Sequence, residues 1–204
     1  MKISKYSDLS AGQRKALFEI SISGARNALG SLGMLINRPV ELTDVQADIF
    51  RWMDLLDVFG GPERRYISIL LNMHGDLVNG SFLFLLELEQ AAELVNEVFG
   101  DMNMGASEEM DAMKQSFLCE MGNILANAYV NTLAEQVDQS VETSTPEFCL
   151  DMIGAILGEA SLEYMDAEEC VLRLENRYAC PQAKFSLHVL FFPSINSLLN
   201  LCHV

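Results

Sequence analysis

Three polar residues, Ser116, Glu120 and Asn123, recur along an otherwise apolar segment of the chain. Their spacings of four and three residues put the side chains on one face of a helix. A carboxylate and a carboxamide about one turn apart present an acceptor and a donor to any partner that docks on that face. Spacing alone favours the simpler interpretation, which is the polar side of an ordinary amphipathic helix.

The composition limits the classes of function. The chain has 204 residues, 50% of them hydrophobic, which predicts one large domain or two fused small ones with a sizeable core. The formal net charge of −16 argues against nucleic acids and anionic membranes, because both attract clustered Lys and Arg. The sequence has neither a membrane-spanning apolar run nor a signal peptide, so we expect a cytoplasmic protein.

The cysteines and histidines show no metal-site or disulfide pattern. The five cysteines are odd in number and lie far apart without a C-x-x-C pair, so we expect reduced thiols packed as small hydrophobes. The three histidines are scattered and are interpreted as structural or surface residues. We therefore expect no metal ligands from this chain. The cysteines are Cys119, Cys149, Cys170, Cys180 and Cys202, and the histidines are His74, His188 and His203.

The elements that must position Ser116, Glu120 and Asn123 form two similar series. The first series is a helix over residues 12–36, a β-rich stretch, strands over 66–73 and 82–88, and a short helix over 91–99. The second series begins with a long helix over 106–137, which starts at Ser107 and carries the three polar residues. An extended passage at Pro146, a helix over 151–164, a hairpin of strands 170–178 and 185–192, and a closing helix over 194–202 follow.

Residue-level parallels favour an internal duplication. Segment 82–88 aligns with 185–191, and segment 19–25 aligns with 120–126. The duplication predicts a single α+β domain of two repeats, about 10–100 and 106–204. Two helix–hairpin–helix units would be related by a pseudo-two-fold axis and share one central, mostly antiparallel sheet flanked by helices. Coincidence between two amphipathic segments is the alternative.

The same segments resemble the CheC/CheX/FliY family of chemotaxis phosphatases, above all its CheC-type members. The family motif is an acidic residue or Ser, three residues, Glu, two residues, Asn, and a Pro about two dozen residues later. Ser116, Glu120, Asn123 and Pro146 fit this motif. The segments GNILANAYVNTL, LDMIGAILGEA, GGPE and GSFLFLLELEQAAELV are also similar to the family, so the likeness runs from about residue 10 to the end.

Many CheC-type proteins carry a second copy of the motif in their first half, and here that copy is broken. Glu19 remains, but Lys15 stands at the Ser or acidic position, Ile22 at the Asn position and Val45 at the Pro position. An Ile side chain neither donates nor accepts a hydrogen bond. We therefore expect one working site, in the second half, with Glu19 as a relic or a solvated surface residue.

The resemblance implies hydrolysis of the aspartyl phosphate of a response regulator, CheY-P. Asn123 would hold the attacking water, Glu120 would contact the regulator's lysine, and Ser116 and Pro146 would support the motif. Asn127, one turn further on the same face, is assigned a minor role at most. The chain would need no cofactor of its own, because the regulator supplies the Mg²⁺. A non-catalytic adaptor that binds CheD, CheY-P or both is the alternative.

The resemblance also implies a contact with CheD, a glutamine deamidase. In CheC-type proteins the contact is made by the helix that matches LDMIGAILGEA, which here would present Asp151, Met152, Gly154 and Ala155. The small residues would permit close approach, and Asp151 would make a charged contact at the rim. The simpler interpretation is a helix that only packs on the sheet.

Overall fold

A computed structural model of the chain describes residues 9–100, 111–164, 170–181 and 183–202. The first half forms α1 (Ala11–Asn27), α2 (Leu29–Ile36), β1 (Glu41–Arg51), a short 3-10 helix (Trp52–Asp54), α3 (Leu55–Val58), β2 (Arg65–Gly75), β3 (Gly80–Glu87) and α4 (Leu88–Phe99). The second half forms α5 (Ala112–Val137), β4 (Val141–Thr143), β5 (Glu147–Met152), α6 (Ile153–Tyr164), β6 (Cys170–Cys180), β7 (Ala183–Pro193) and α7 (Ile195–Cys202). Among the described residues, no helix is long and apolar enough to cross a membrane.

The strands form one seven-stranded antiparallel sheet in the order β1–β6–β7–β3–β2, with both β4 and β5 paired to β2. The two halves exchange strands, because β1 pairs with β6 and β5 pairs with β2. At the centre Leu85 lies opposite His188, and these are the residues that the repeat alignment equates. The predicted α+β class with a mostly antiparallel sheet is confirmed, while the division into two repeats stays a prediction.

Each face of the sheet has its own core. On one face, side chains of the inner strands pack against α1, α2, α4, α5 and α7. On the other face, a smaller cluster packs against α3 and α6. The ring of Phe82 in β3 lies 4.7 Å from that of Phe191 in β7 and 5.5 Å from that of Tyr129 in α5. The inner side of α5 is therefore fixed on the middle of the sheet.

Two glycines let the long helix approach its neighbours closely. At Gly122 of α5, an added Cβ would lie 2.7 Å from Cγ2 of Ile69 in β2. At Gly24 of α1, an added Cβ would lie 2.5 Å from Cδ1 of Tyr129 in α5. Because such distances are well inside van der Waals contact, a side chain at either position would force the helix away.

The helix predicted over residues 12–36 is wrong as a single element. A turn at Ala28 separates α1 from α2. The sequence around this turn contains Gly24, Gly30 and Gly33, and glycine lowers the stability of a helix interior. The apolar periodicity continues through the turn, which explains why the pattern alone indicated one helix.

Two predicted helix starts also differ from the structure. Asp151 and Met152 belong to β5 rather than to the following helix, because they pair with Tyr66 and Arg65 of β2. The predicted start of the long helix at Ser107 lies outside the described residues. Within them, α5 is capped at residue 111, whose side-chain carboxylate accepts a hydrogen bond from the backbone N–H of residue 114 at 3.0 Å.

Candidate functional site

The outer face of α5 carries the predicted motif. Ser116 and Glu120 are exposed and Asn123 is partly exposed, whereas Phe117 and Met121 on the inner side are buried. The structure thus brings three motif residues onto one accessible face. Because the opposite face is packed on the sheet, these side chains project from a rigid support.

Asn123 belongs to a chain of side-chain hydrogen bonds that leads off the helix. Asn127 Nδ2 donates to Asn123 Oδ1 at 3.2 Å, and Thr143 Oγ1 donates to Asn127 Oδ1 at 3.3 Å. Thr143 is the last residue of β4 and pairs with Met73 of β2. The carboxamide of Asn123 is therefore linked to the sheet through two further side chains.

Sequence reasoning gave Asn127 a minor role and missed Thr143. The spacing of four residues between Asn123 and Asn127 was a usable signal, because such residues neighbour each other on a helix. No spacing rule connects Thr143 to them, since that contact depends on how β4 packs beside α5.

The carboxylate of Glu120 is available to a docking partner. Within the described part of the chain, no ion pair or hydrogen bond engages its side chain. An exposed carboxylate of this kind has high affinity for a cation only when a partner excludes water around it.

Pro146 lies in the link between β4 and β5 and is partly buried. The link is tied to β2, because the backbone N–H of Ser144 donates to the carbonyl of Asn72 at 2.8 Å and Ser144 Oγ accepts from the backbone N–H of Asn72 at 3.0 Å. The proline therefore occupies a fixed extended passage beside the motif helix.

The broken first copy of the motif lies on α1. Glu19 is exposed and lines an open cleft of about 440 Å³ between α1 and α5, together with Glu135 and Gln136 of α5. Ile22, which stands where the motif has Asn, is partly buried. This face offers no carboxamide at the equivalent position.

The segment expected to contact CheD is only partly available. Asp151 and Ala155 are exposed, and Met152 is 47% exposed. Gly154 instead packs against Pro62. Its N–H donates to the carbonyl of Pro62 at 3.0 Å, and an added Cβ would lie 3.0 Å from Cβ of Pro62. A side chain at position 154 would therefore crowd Pro62.

A second polar cluster lies on the other face of the sheet, and sequence reasoning missed it. The Arg173 side chain is 8% exposed, and its Nη1 lies 3.3 Å from Oε2 of Glu175 while its Nη2 lies 3.7 Å from Oδ2 of Asp48. Its guanidinium also stacks 4.9 Å from the ring centre of Phe50. His188 Nδ1 lies 4.0 Å from Oε2 of Glu175. The available signal was the alternation of charged residues along β6.

The environment of this cluster shifts two protonation equilibria. Burial lowers the pKa of His188 from 6.5 to about 4, against the opposing effect of Glu175. Burial alone would raise the pKa of Glu175, but the Arg177 hydrogen bond at 2.9 Å and the neighbouring positive charges lower it overall. The ring of Phe59 packs edge-on to His188 at 5.1 Å. We interpret His188 as structural, as the sequence predicts.

Metal-binding and thiol chemistry have little support in the described ranges. No group of three or more His, Cys, Asp or Glu side chains there is arranged to hold a metal ion. Cys119 and Cys149 are thiols, and burial raises the pKa of both.

Comparisons with known proteins add sequence and fold relationships. No family model matches the chain. Over 198 residues the chain is 29% identical to CheY-P phosphatase CheC of Bacillus subtilis (strain 168), covering 96% of this chain and 94% of that protein. The crystal structure of Thermotoga maritima FliY has a TM-score of 0.71 at 14% identity, covering 96% of this chain and 98% of that one. The FliM middle domain from H. pylori has a TM-score of 0.67 at 10% identity, covering 96% and 99%.

The fold is that of the α+β domains found in FliY and the FliM middle domain. The sequence likeness to CheC runs along nearly the whole chain. The sequence likeness to CheC and the fold shared with FliY confirm the resemblance to the CheC/CheX/FliY family that the motif residues indicate.

Proposed function

We propose that the chain is a CheC-type phosphatase that hydrolyses the aspartyl phosphate of a CheY-like response regulator. The observation that carries the proposal is the placement of Glu120 and Asn123 on the accessible face of a helix whose other face is packed on the sheet. The sequence likeness to a CheY-P phosphatase supports the choice of substrate.

The reaction in this proposal is in-line attack of water on phosphorus, with the aspartyl oxygen as leaving group. The response regulator brings the Mg²⁺ that neutralises the phosphoryl oxygens, and this chain orders the attacking water. The carboxamide of Asn123 holds that water by a hydrogen bond without adding negative charge. A carboxylate at this position would repel the phosphoryl group. Catalysis then comes from positioning.

Glu120 sets the docking register by contacting the active-site lysine of the regulator. The strongly acidic chain suits a partner that offers a cation at this point, because complementary charges guide association. Ser116, one turn earlier, supports Glu120 or the edge of the interface. Pro146 fixes the link beside the motif helix.

Replacing Asn123 tests the proposal. We expect Asn123→Ala to lower kcat about 100-fold, because loss of one positioned group is worth about 2.7 kcal/mol of transition-state stabilisation. The measurement is release of inorganic phosphate from a CheY-like regulator kept phosphorylated by acetyl phosphate. A circular dichroism spectrum and a Tm equal to wild type show that the variant is folded.

Asn131→Ala is the matched control, because Asn131 is also an exposed asparagine on α5. It should retain the wild-type kcat. An Asn123→Ala variant as active as wild type would rule out the assignment. In the same assay, equal KM values for Glu120→Lys and Glu120→Gln would argue against the lysine contact, since only the first places like charges together.

A second candidate function is a non-catalytic adaptor that binds CheD, CheY-P or both. The observation that favours it is the exposed patch formed by Asp151, Met152 and Ala155, which is separate in sequence from the motif. The phosphate-release assay separates the two candidates, because an adaptor binds CheY-P without accelerating its hydrolysis.

The CheD contact has its own test. We expect Asp151→Lys to abolish co-purification of CheD and to leave phosphate release unchanged, because the substitution reverses an exposed charge outside the motif. Ala155→Ser, a small change in the same patch, should retain most CheD binding. Undiminished CheD binding by Asp151→Lys would remove Asp151 from the interface.

A further inference from the structure

The side chain of Asn123 is hydrogen-bonded to that of Asn127, which is in turn hydrogen-bonded to Thr143 in β4 of the sheet. We infer that Asn127 and Thr143 are positioning residues that fix the carboxamide of Asn123 before a regulator docks. The inference rests on the proposed function and deepens it. Neither residue touches the reacting atoms in this scheme, since both act through Asn123.

The physical reason lies in the symmetry of an asparagine side chain. Rotation about its last torsion is soft, and its oxygen and amide ends have nearly the same shape. An exposed asparagine therefore presents either end outward unless a partner selects one. Donation from Asn127 Nδ2 engages Asn123 Oδ1, so the plane of the carboxamide is set in the absence of substrate.

The anchor at the far end makes this selection effective. Asn127 is exposed, so water competes for its bond to Asn123. Thr143 engages the other end of the Asn127 amide and is itself held by strand pairing to Met73. The neighbouring Ser144 is bonded to the backbone of β2 as well. The series of hydrogen bonds thus ends at a residue that belongs to the sheet.

A carboxamide that is already oriented loses less conformational freedom when the regulator docks. The smaller loss of conformational freedom raises the rate of the chemical step, because the water is held in attacking geometry more of the time. A positioning role predicts a lower kcat with an unchanged KM when the chain of hydrogen bonds is broken. A direct docking role for Asn127 predicts a raised KM, and a solvated surface residue predicts no change.

Steady-state phosphate release from CheY-P by four variants tests the inference. We expect Asn127→Ala to lower kcat about tenfold and Thr143→Val about threefold, with KM within about twofold of wild type. Thr143→Ser should restore the wild-type kcat, because it keeps the hydroxyl that Val lacks. Asn131→Ala, the exposed asparagine one turn beyond Asn127, should match wild type.

Three outcomes would overturn the inference. One is a wild-type kcat for Asn127→Ala, and another is a raised KM with an unchanged kcat. The third is equal activity of Thr143→Val and Thr143→Ser. In each case the phosphatase proposal itself would stand, because it is tested separately, by wild-type activity and by the loss in Asn123→Ala in the same assay.

A readout that needs no activity separates the two proposals. In ¹⁵N-labelled protein without regulator, the side-chain amide resonances of Asn123 should shift in Thr143→Val and stay in place in Thr143→Ser. Those of Asn131 should move in neither variant. If the wild-type protein releases no phosphate, the phosphatase proposal is rejected, and a shift of the Asn123 resonances in Thr143→Val would still support the positioning role. Unchanged Asn123 resonances would overturn the positioning role.

Discussion

At the scale of single residues, the difference between the two motif copies that bears on catalysis is that between Asn123 and Ile22. Both copies keep an exposed glutamate, Glu120 in one and Glu19 in the other. Only Asn123 offers a carboxamide at its position, and hydrogen bonds through Asn127 tie that carboxamide to Thr143 of β4. The chemistry that we propose therefore depends on one hydrogen-bonding group that its counterpart lacks.

His188 gives a residue-scale prediction about acid stability. Its pKa is lowered to about 4 by burial, so below about pH 6.5 the unfolded chain binds a proton that the folded chain does not. The free energy of unfolding should fall by up to about 3 kcal/mol between about pH 6.5 and pH 4. Glu175 acts in the same direction at still lower pH, because its pKa is also lowered in the fold. Urea unfolding at about pH 7 and pH 4.5 measures the loss.

The variant His188→Gln provides the control, since glutamine does not titrate. Its free energy of unfolding should change less than that of wild type over the same pH interval. Equal losses in the two proteins would show that other groups cause the acid sensitivity.

Sequence spacing could find the motif residues but not their supports. Ser116, Glu120 and Asn123 lie within about two turns of one helix, so helical periodicity alone places them together. Thr143 meets Asn127 only through tertiary packing. The ion pair of Arg173 with Asp48 crosses between two strands whose register the sequence does not reveal.

At the scale of elements, α5 combines a buried inner side with an accessible outer side, and Gly122 sets how closely it lies on β2. We expect Gly122→Ala to lower the free energy of unfolding by about 1–3 kcal/mol, because its Cβ would meet Ile69 at 2.7 Å. The change should also lower kcat, since Asn123 is the next residue along the helix. Urea unfolding and phosphate release measure the two effects.

Gly30→Ala in α2 is the matched control. An added Cβ at Gly30 meets nothing within 4 Å, so the substitution should raise the free energy of unfolding by about 0.5–1 kcal/mol through helix propensity. Stabilisation by both substitutions would contradict the close contact of α5 with β2.

Elements with strong periodicity were predictable, and elements decided by neighbours were not. The long helix and the two hairpins follow from local patterns and turn residues. Asp151 and Met152 read as the start of a helix, yet the free edge of β2 takes them into the sheet. At such a junction, strand pairing determines the local structure more strongly than intrinsic helix propensity does.

At the scale of the whole molecule, the fold is shared with proteins of low sequence identity. FliY and the FliM middle domain have the same architecture at 14% and 10% identity. A common fold does not fix a common activity, because function depends on the side chains that the fold presents. The sequence could predict one central antiparallel sheet, but not that β1 pairs with β6 while β5 pairs with β2, since such long-range pairings have no local signal.

The pairing of β1 with β6 has a consequence for biosynthesis. β1 ends at Arg51 and the strand beside it begins at Cys170. At about 5–20 residues per second, a ribosome needs roughly 6–24 seconds to make the intervening polypeptide. During that interval the nascent β1 has no native neighbour along its hydrogen-bonding edge. The newborn chain therefore completes its sheet only after β6 has been made, and a product terminated before residue 170 exposes an unprotected strand to aggregation.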